Sequence, residues 1–301
     1  MSNAALAFDL EPTADCGPAT AGPARIHLDL RHLKRDANWM TFSPDPVTGL
    51  QNVTPAFIAE CHGAFGQLRR EASATDAPYV VMQSAHPTYF SLGGDLAFFR
   101  DCIRRQDWNR LRSYSMRCFA LLHAASTQLK DTHTTIALVQ GRALGGGFEL
   151  ALSADHLVAE AHSTFAFPEI LFGLFPCTGA MSLLAPRVGA RRAEKMMTER
   201  RIYTAAELLE MGVVDEVCAT GEGETAVERY VEVHASRVKA RMRVQQSRER
   251  HAPLDVEENI RIIDDWVDTA RRLDAAELRA MDMLIMMQAR EAAAPAAREA
   301  A

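Results

Sequence analysis

The sequence predicts an α/β protein that ends in a helical region. Three observations carry this. Short apolar runs such as "YVVMQS" (Tyr79–Ser84) and "TTIALVQG" (Thr134–Gly141) suit buried strands, and they alternate with longer stretches whose apolar residues recur at helical spacing. Glycines stand where those strands give way to helices, at Gly93–Gly94 and at Gly145–Gly147. Beyond Gly221, where Gly-Glu-Gly interrupts the pattern, the spacing is helical throughout.

In chain order, "RIHLDL" (Arg25–Leu30) alternates apolar and polar residues and reads as a strand. Thr54–Ala72 opens with Thr-Pro, a helix start, and keeps helical spacing. The strand at 79–84 leads through the turn "AHPTYFSLGGD" into a helical pattern from Leu96 to about Lys130. The strand at 134–141 meets the glycine triplet, and a helix follows to about Ala154. His156–Ala161 suits a short strand. Helices are then expected at Thr178–Pro186, Ala190–Glu199, Ala205–Met211, Glu222–Arg241 and Asp255–Arg290, with "VVDEVC" as a strand among them.

Composition narrows the function. The 301 residues are 48% hydrophobic and 24% charged, the balance of a globular protein, and the net charge of −6 argues against nucleic-acid binding by bulk charge. Cys16, Cys61, Cys102, Cys118, Cys177 and Cys218 form no C-x-x-C pair. They read as reduced thiols of a cytoplasmic protein, with no zinc site. Residues 1–24 lack a cationic start and a sustained apolar stretch, and no run of eighteen apolar residues exists, so no membrane span is expected. The ten histidines show no metal-ligand spacing, and the basic run Arg237–Arg250 reads as a solvated helix face.

The chemistry gathers at "GRALGGGFELAL" (Gly141–Leu152). G-x-x-x-G-G-G is neither a dinucleotide fingerprint nor a P-loop, and no G-x-S-x-G elbow occurs. A helix opening near Gly146 presents unpaired backbone N–H groups, and the absence of side chains leaves them open to a ligand oxygen. Such donors suit an oxyanion that develops during reaction. "YFSLGGDLAFF" (Tyr89–Phe99) places a second glycine pair at a similar passage, with Asp95 as N-cap. Glu149 lies just inside the first glycine-opened helix, and Glu169 follows twenty residues later in "FAFPEILFGLFP". Both stand among apolar residues. If both face one apolar cavity they cannot readily both ionise, which yields an acid and a base in one site.

These residues resemble a known family. "FSLGGDL", "GRALGGGFELALSADHLVAEAHSTFAFPEILFGLFP" and "GARRAEKMMTERRIYTAAELLEMGVVDEV" are similar in order and spacing to the crotonase, or enoyl-CoA hydratase/isomerase, superfamily, from about Tyr79 to Cys218. "YFSLGGDL", "FPEILFGLFP" and a long leader with "WMTFSP" ahead of the core most resemble the bacterial diffusible-signal-factor synthases. Residues 1–24, rich in Ala, Pro, Gly and Thr, read as a mobile leader and 294–301 as a frayed tail, while the resemblance implies a crotonase-like spiral of ββα units at 25–220 and a C-terminal helical trimerisation region at 221–293. The resemblance implies oxyanion donors at the Gly94 and Gly146 amides and catalytic roles for Glu149 and Glu169; the histidine and cysteine spacing predicts no metal. Cys177 departs from the glycine that many hydratases carry there. The expected segment for CoA binding is not evident after the first strand, which leaves room for an acyl-carrier-protein thioester beside a CoA thioester.

The implied reaction is dehydration of a 3-hydroxyacyl thioester to a cis-2-enoyl thioester, then hydrolysis to a free fatty-acid signal. The alternatives are a conventional enoyl-CoA hydratase and a non-catalytic scaffold of the same fold. Candidates for an acyl pocket are Phe90, Phe148, Leu171, Phe172, Leu174, Phe175 and Met181, with Trp266 at its far end. The resemblance further implies a homotrimer or dimer of trimers and allows a regulatory protein partner.

Overall fold

The computed structural model describes residues 25–72 and 77–293. The expected leader and tail, and Cys16 with them, lie outside the described residues. The α/β class holds: a spiral of strands stacked in two sheets, with helices between turns and a helical C-terminal region.

The larger sheet is built from β1 (Ile26–Arg31), β2 (Ala37–Phe42), β3 (Tyr79–Ser84), β5 (Thr134–Val139), β7 (His156–Glu160) and β10 (Glu216–Cys218), side by side in that order. Only β1–β2 is antiparallel. The smaller sheet orders β4 (Tyr89–Ser91), β6 (Arg142–Leu144), β8 (Thr164–Ala166) and β9 (Tyr203–Thr204). The chain leaves β3 for β4, β5 for β6 and β7 for β8, so each turn of the spiral adds one strand to each sheet. β2 was not expected as a strand, and the strands of the smaller sheet, three residues or fewer, are too short to show a period.

β3, β5 and β7 are buried on both faces, which is why they read as continuous apolar runs. On one face Trp39, Tyr79, Val81, Ile136, Leu138 and Val158 pack against Val227, Tyr230 and Val231 of α8 (Gly223–His234). On the other, Phe42, Val80, Met82, Ala137 and Val139 join the main core, which runs on into the smaller sheet and the remaining helices.

Capping residues place the helices that carry the site. Thr54 caps α1 (Pro55–Glu71) and Asp95 caps α2 (Leu96–Arg105), each accepting from the amide three residues on. The helical pattern expected over Leu96–Lys130 is broken. Gln106 turns left-handed at φ 55°, and Asp107 accepts from the Arg110 amide to start α3 (Trp108–His123). A π-helical turn, Ala124–Gln128, continues it.

α4 (Gly146–Leu152) follows the triplet, and a 3-10 turn, Glu169–Phe172, follows β8. Beyond them come α5 (Ala180–Val188), α6 (Ala190–Thr198), α7 (Ala205–Glu210) and α9 (Val238–His251). The single helix expected at Asp255–Arg290 is two, α10 (Val256–Ala270) and α11 (Ala275–Ala293). Asp274 makes the break: its carboxylate accepts from the Ala276 and Glu277 amides, and its own amide donates to Glu277 Oε2, a reciprocal cap.

The two last helices fold back over the site-bearing elements. Arg112 on α3 grips Asp264 on α10 (2.6 Å), and Arg100 on α2 grips Asp282 on α11 (2.7 Å). The start of α11 also packs on the turn that carries Glu169. A Cβ built on Gly173 would sit 2.3 Å from Glu277 Oε1. Among the described residues, no helix is long and apolar enough to cross a membrane.

Candidate active site

The loop after β4 aims one backbone donor inward. Val53 N–H donates to Gly93 C=O (2.9 Å). The carbonyl of Gly93 and the amide of Gly94 belong to one planar trans peptide and point opposite ways, so holding the oxygen turns the Gly94 N–H toward the cavity. The same logic operates at the triplet. Gly145 C=O accepts from Phe148 N–H (2.9 Å) and Glu149 N–H (3.0 Å), which turns the Gly146 N–H away from the helix. Neither amide has a hydrogen-bond partner among the described residues. The two lie close: a Cβ built on Gly146 would sit 3.8 Å from Gly94 N and 3.8 Å from Glu149 Oε2. Side chains are barred nearby, since a Cβ at Gly94 would meet Phe99 Cζ at 2.6 Å and one at Gly145 would meet Glu169 Oε1 at 2.2 Å.

Glu149 sits in the first turn of α4, 2% exposed. Its Oε1 accepts from the amides of Thr178 (2.9 Å) and Ala180 (2.8 Å), and its Oε2 from the Thr178 hydroxyl (2.5 Å). Burial pushes its pKa above the ordinary value, and these donors oppose that by favouring the carboxylate. Glu169 opens the 3-10 turn after Pro168, and its Oε2 is buried with no partner. Burial first, and the Glu149 charge second, push its pKa up to about 8. At neutral pH Glu169 is therefore largely a protonated acid, and it stands beside a Glu149 whose donors favour the carboxylate form.

Gly94, Gly146, Glu149 and Glu169 line one cavity with about 600 Å³ of empty space, part of it open to solvent. The rest of its wall is mostly apolar and includes Val53, Phe99, Leu121, Leu122, Phe175 and Trp266. Of the acyl-pocket candidates, Trp266 and Phe175 line it. Trp266 is buried on α10 with its ring edge-on to Phe99 at 5.2 Å.

The other candidates are placed elsewhere, which corrects the expectation. Phe90 packs on Phe42, Phe148 lies between Phe165 and Phe167, and Phe172 and Leu174 are buried core. Met181 leans on the core from α5. Leu171 is 39% exposed, because two steps along a 3-10 turn carry it away from Glu169.

Sequence reading missed Tyr114, Ser115, Cys118, Leu121 and Leu122, which line the cavity from α3. Their spacing is one helical stripe, but an ordinary core-facing stripe reads the same way. Cys177 also lines the cavity, where burial raises its thiol pKa well above the usual value and keeps it a poor nucleophile. Among the described residues, no cluster of three or more His, Cys, Asp or Glu could hold a metal ion.

Comparison with known proteins gives this geometry a family. The mevalonyl-coenzyme A hydratase of Beauveria bassiana is 42% identical over 86 residues, 29% of this chain and 31% of that protein. The peroxisomal bifunctional enzyme of Cavia porcellus is 36% identical over 92 residues, 31% of this chain and 13% of that protein. The aligned stretches thus span less than a third of these relatives. Among solved structures, an enoyl-CoA hydratase of Mycobacterium avium subsp. paratuberculosis superposes with a TM-score of 0.70, at 20% identity, over 88% of this chain and 96% of that one. One from Bacillus halodurans gives 0.66 at 19% identity over 86% and 100%. At such identities these two establish the fold alone. The enoyl-CoA hydratase/isomerase family profile matches residues 48–265, more than two thirds of the chain, and the chain belongs to that family.

Proposed function

We propose that this protein interconverts 3-hydroxyacyl and 2-enoyl thioesters. One observation supports it above the others: two buried carboxyl groups with opposite hydrogen-bonding environments share a cavity with two unpaired amides. The amides of Gly94 and Gly146 receive the thioester oxygen, and the negative charge that forms there makes the α-carbon acidic enough to exchange its proton. In the dehydration direction the C2–H and C3–O bonds break, the C2=C3 bond forms and water leaves. In hydration the Glu149 carboxylate takes a proton from water while Glu169 gives one to C2, and in dehydration the two exchange roles. The apolar wall accommodates an acyl tail.

The finer reading is that the substrate arrives on an acyl-carrier protein, the double bond is cis, and the thioester is then hydrolysed in the same site. Its support is the resemblance of "YFSLGGDL" and "FPEILFGLFP" to the signal synthases. The test offers the purified protein a 3-hydroxyacyl-carrier protein and crotonyl-CoA. Release of free cis-2-enoic acid establishes the finer reading. Hydration of crotonyl-CoA without free acid leaves the conventional hydratase. Inactivity on both, with Glu149→Gln and Glu169→Gln changing no cellular output, establishes a non-catalytic scaffold.

A further inference from the structure

The Tyr114 side chain lies in the wall of the cavity, and its hydroxyl is engaged by the backbone on either side of Gly94. Tyr114 is 5% exposed on α3, with its ring against Phe98 (4.9 Å) and Phe99 (5.2 Å). Its hydroxyl donates to Val53 C=O and accepts from Asp95 N–H (3.2 Å). Val53 and Gly94 face each other there as an isolated parallel bridge. Two peptide planes flank the Gly94 Cα. The first, Gly93 C=O to Gly94 N–H, is held through its oxygen by Val53 N–H. The second, Gly94 C=O to Asp95 N–H, is held through its nitrogen by Tyr114.

From this we infer that Tyr114 is a positioning residue for the oxyanion donor, fixing the direction of the Gly94 N–H by pinning the peptide that follows it. The inference rests on the function proposed above and adds to it a residue that touches the loop rather than the reacting atoms. Both planes must be fixed, because a glycine pair is the backbone least able to hold its own orientation. Burial also pushes the Tyr114 pKa well above the usual value, so the hydroxyl keeps its proton and stays a donor to Val53. An error of about 1 Å in a catalytic group can cost on the order of 100-fold in rate.

The test compares wild type and Tyr114→Phe on crotonyl-CoA, with the infrared carbonyl band of crotonyl-CoA carrying ¹³C at its thioester carbon read in both. The expected result is a roughly 10- to 100-fold fall in kcat. KM should move less than about threefold and the pH profile should keep its shape. The bound carbonyl band should shift back toward its position in free substrate. In wild type the Asp95 amide should exchange slowly with solvent, a reading that needs no variant. A folded Tyr114→Phe with unchanged kcat and an unchanged carbonyl band overturns the inference, as does fast exchange at Asp95. A wild type that neither hydrates crotonyl-CoA nor perturbs its carbonyl band overturns the proposed function instead.

Discussion

Glu149 and Glu169 face the same cavity, but Glu149 accepts three hydrogen bonds from Thr178 and Ala180 while Glu169 Oε2 accepts none among the described residues. This asymmetry gives a pair of like residues opposite preferences, with donors that favour the carboxylate at Glu149 and none at Glu169 Oε2.

Glu169→Gln keeps the shape of the side chain and removes the transferable proton. Activity on crotonyl-CoA should fall about 10²- to 10⁴-fold, the range general acid–base groups contribute. The variant should fold, because the buried group it replaces is neutral at pH 7. Steady-state kinetics beside circular dichroism checks both halves.

The pKa of about 8 at Glu169 also predicts a pH dependence of stability. An unfolded glutamate loses its proton near 4.5, so between that value and about 8 the folded state holds the extra proton. The contribution of this group to stability is complete below about 4.5, falls as pH rises and levels off above about 8. Urea melts of wild type and Glu169→Gln across that window should show the variant gaining stability relative to wild type with rising pH. A constant difference would contradict the buried-acid assignment. In the hydration direction wild-type kcat/KM should decline above about pH 8, as Glu169 loses the proton it must give.

Thr178→Val deletes the hydroxyl that donates to Glu149 Oε2 and leaves the backbone amide in place. Because that donor lowers the Glu149 pKa, its loss raises it, and the rising limb of the hydration rate should move to higher pH. The stability cost is about 1–3 kcal/mol for a buried acceptor stripped of a partner. A pH–rate profile with an unmoved acid limb would show that Glu149 is not the base.

Gly145→Ala tests the close approach of backbone to acid. Gly145 has φ 51°, and an added Cβ would sit 2.2 Å from Glu169 Oε1. The carboxyl group must then swing away or the loop must shift. The expected result is a kcat loss of about 100-fold, with a backbone cost of about 1–3 kcal/mol visible in thermal melts.

Asp274→Ala removes the reciprocal cap that starts α11, beside the turn bearing Glu169. Stability should fall by about 1 kcal/mol. Amide exchange should quicken in the first turn of α11 more than in α10.

How far the sequence could be read depended on the length scale of each signal. β3, β5 and β7 announced themselves because a strand buried on both faces needs five or six apolar residues in a row. β2 did not, since Asn38 and Thr41 interrupt its run, and the strands of the smaller sheet are shorter than any period. Asp107 and Asp274 were in plain view, but a cap inside a long helical pattern is recognised as a break only when the chain is seen to turn there.

For the site, the sequence alone determined the ingredients: glycines where backbone must be bare, and two acids in apolar company too costly to be incidental. Tertiary structure decided their states. The Thr178–Ala180 loop reaches Glu149 and not Glu169, α3 brings Tyr114 to the Gly94 loop, and α10 supplies Trp266 from far along the chain. Hydrogen bonds and desolvation act through space, over a few ångströms, and residues that close in the fold stand many positions apart in the chain. No local pattern of residues encodes which acid will find a donor, and that choice sets which one keeps its proton.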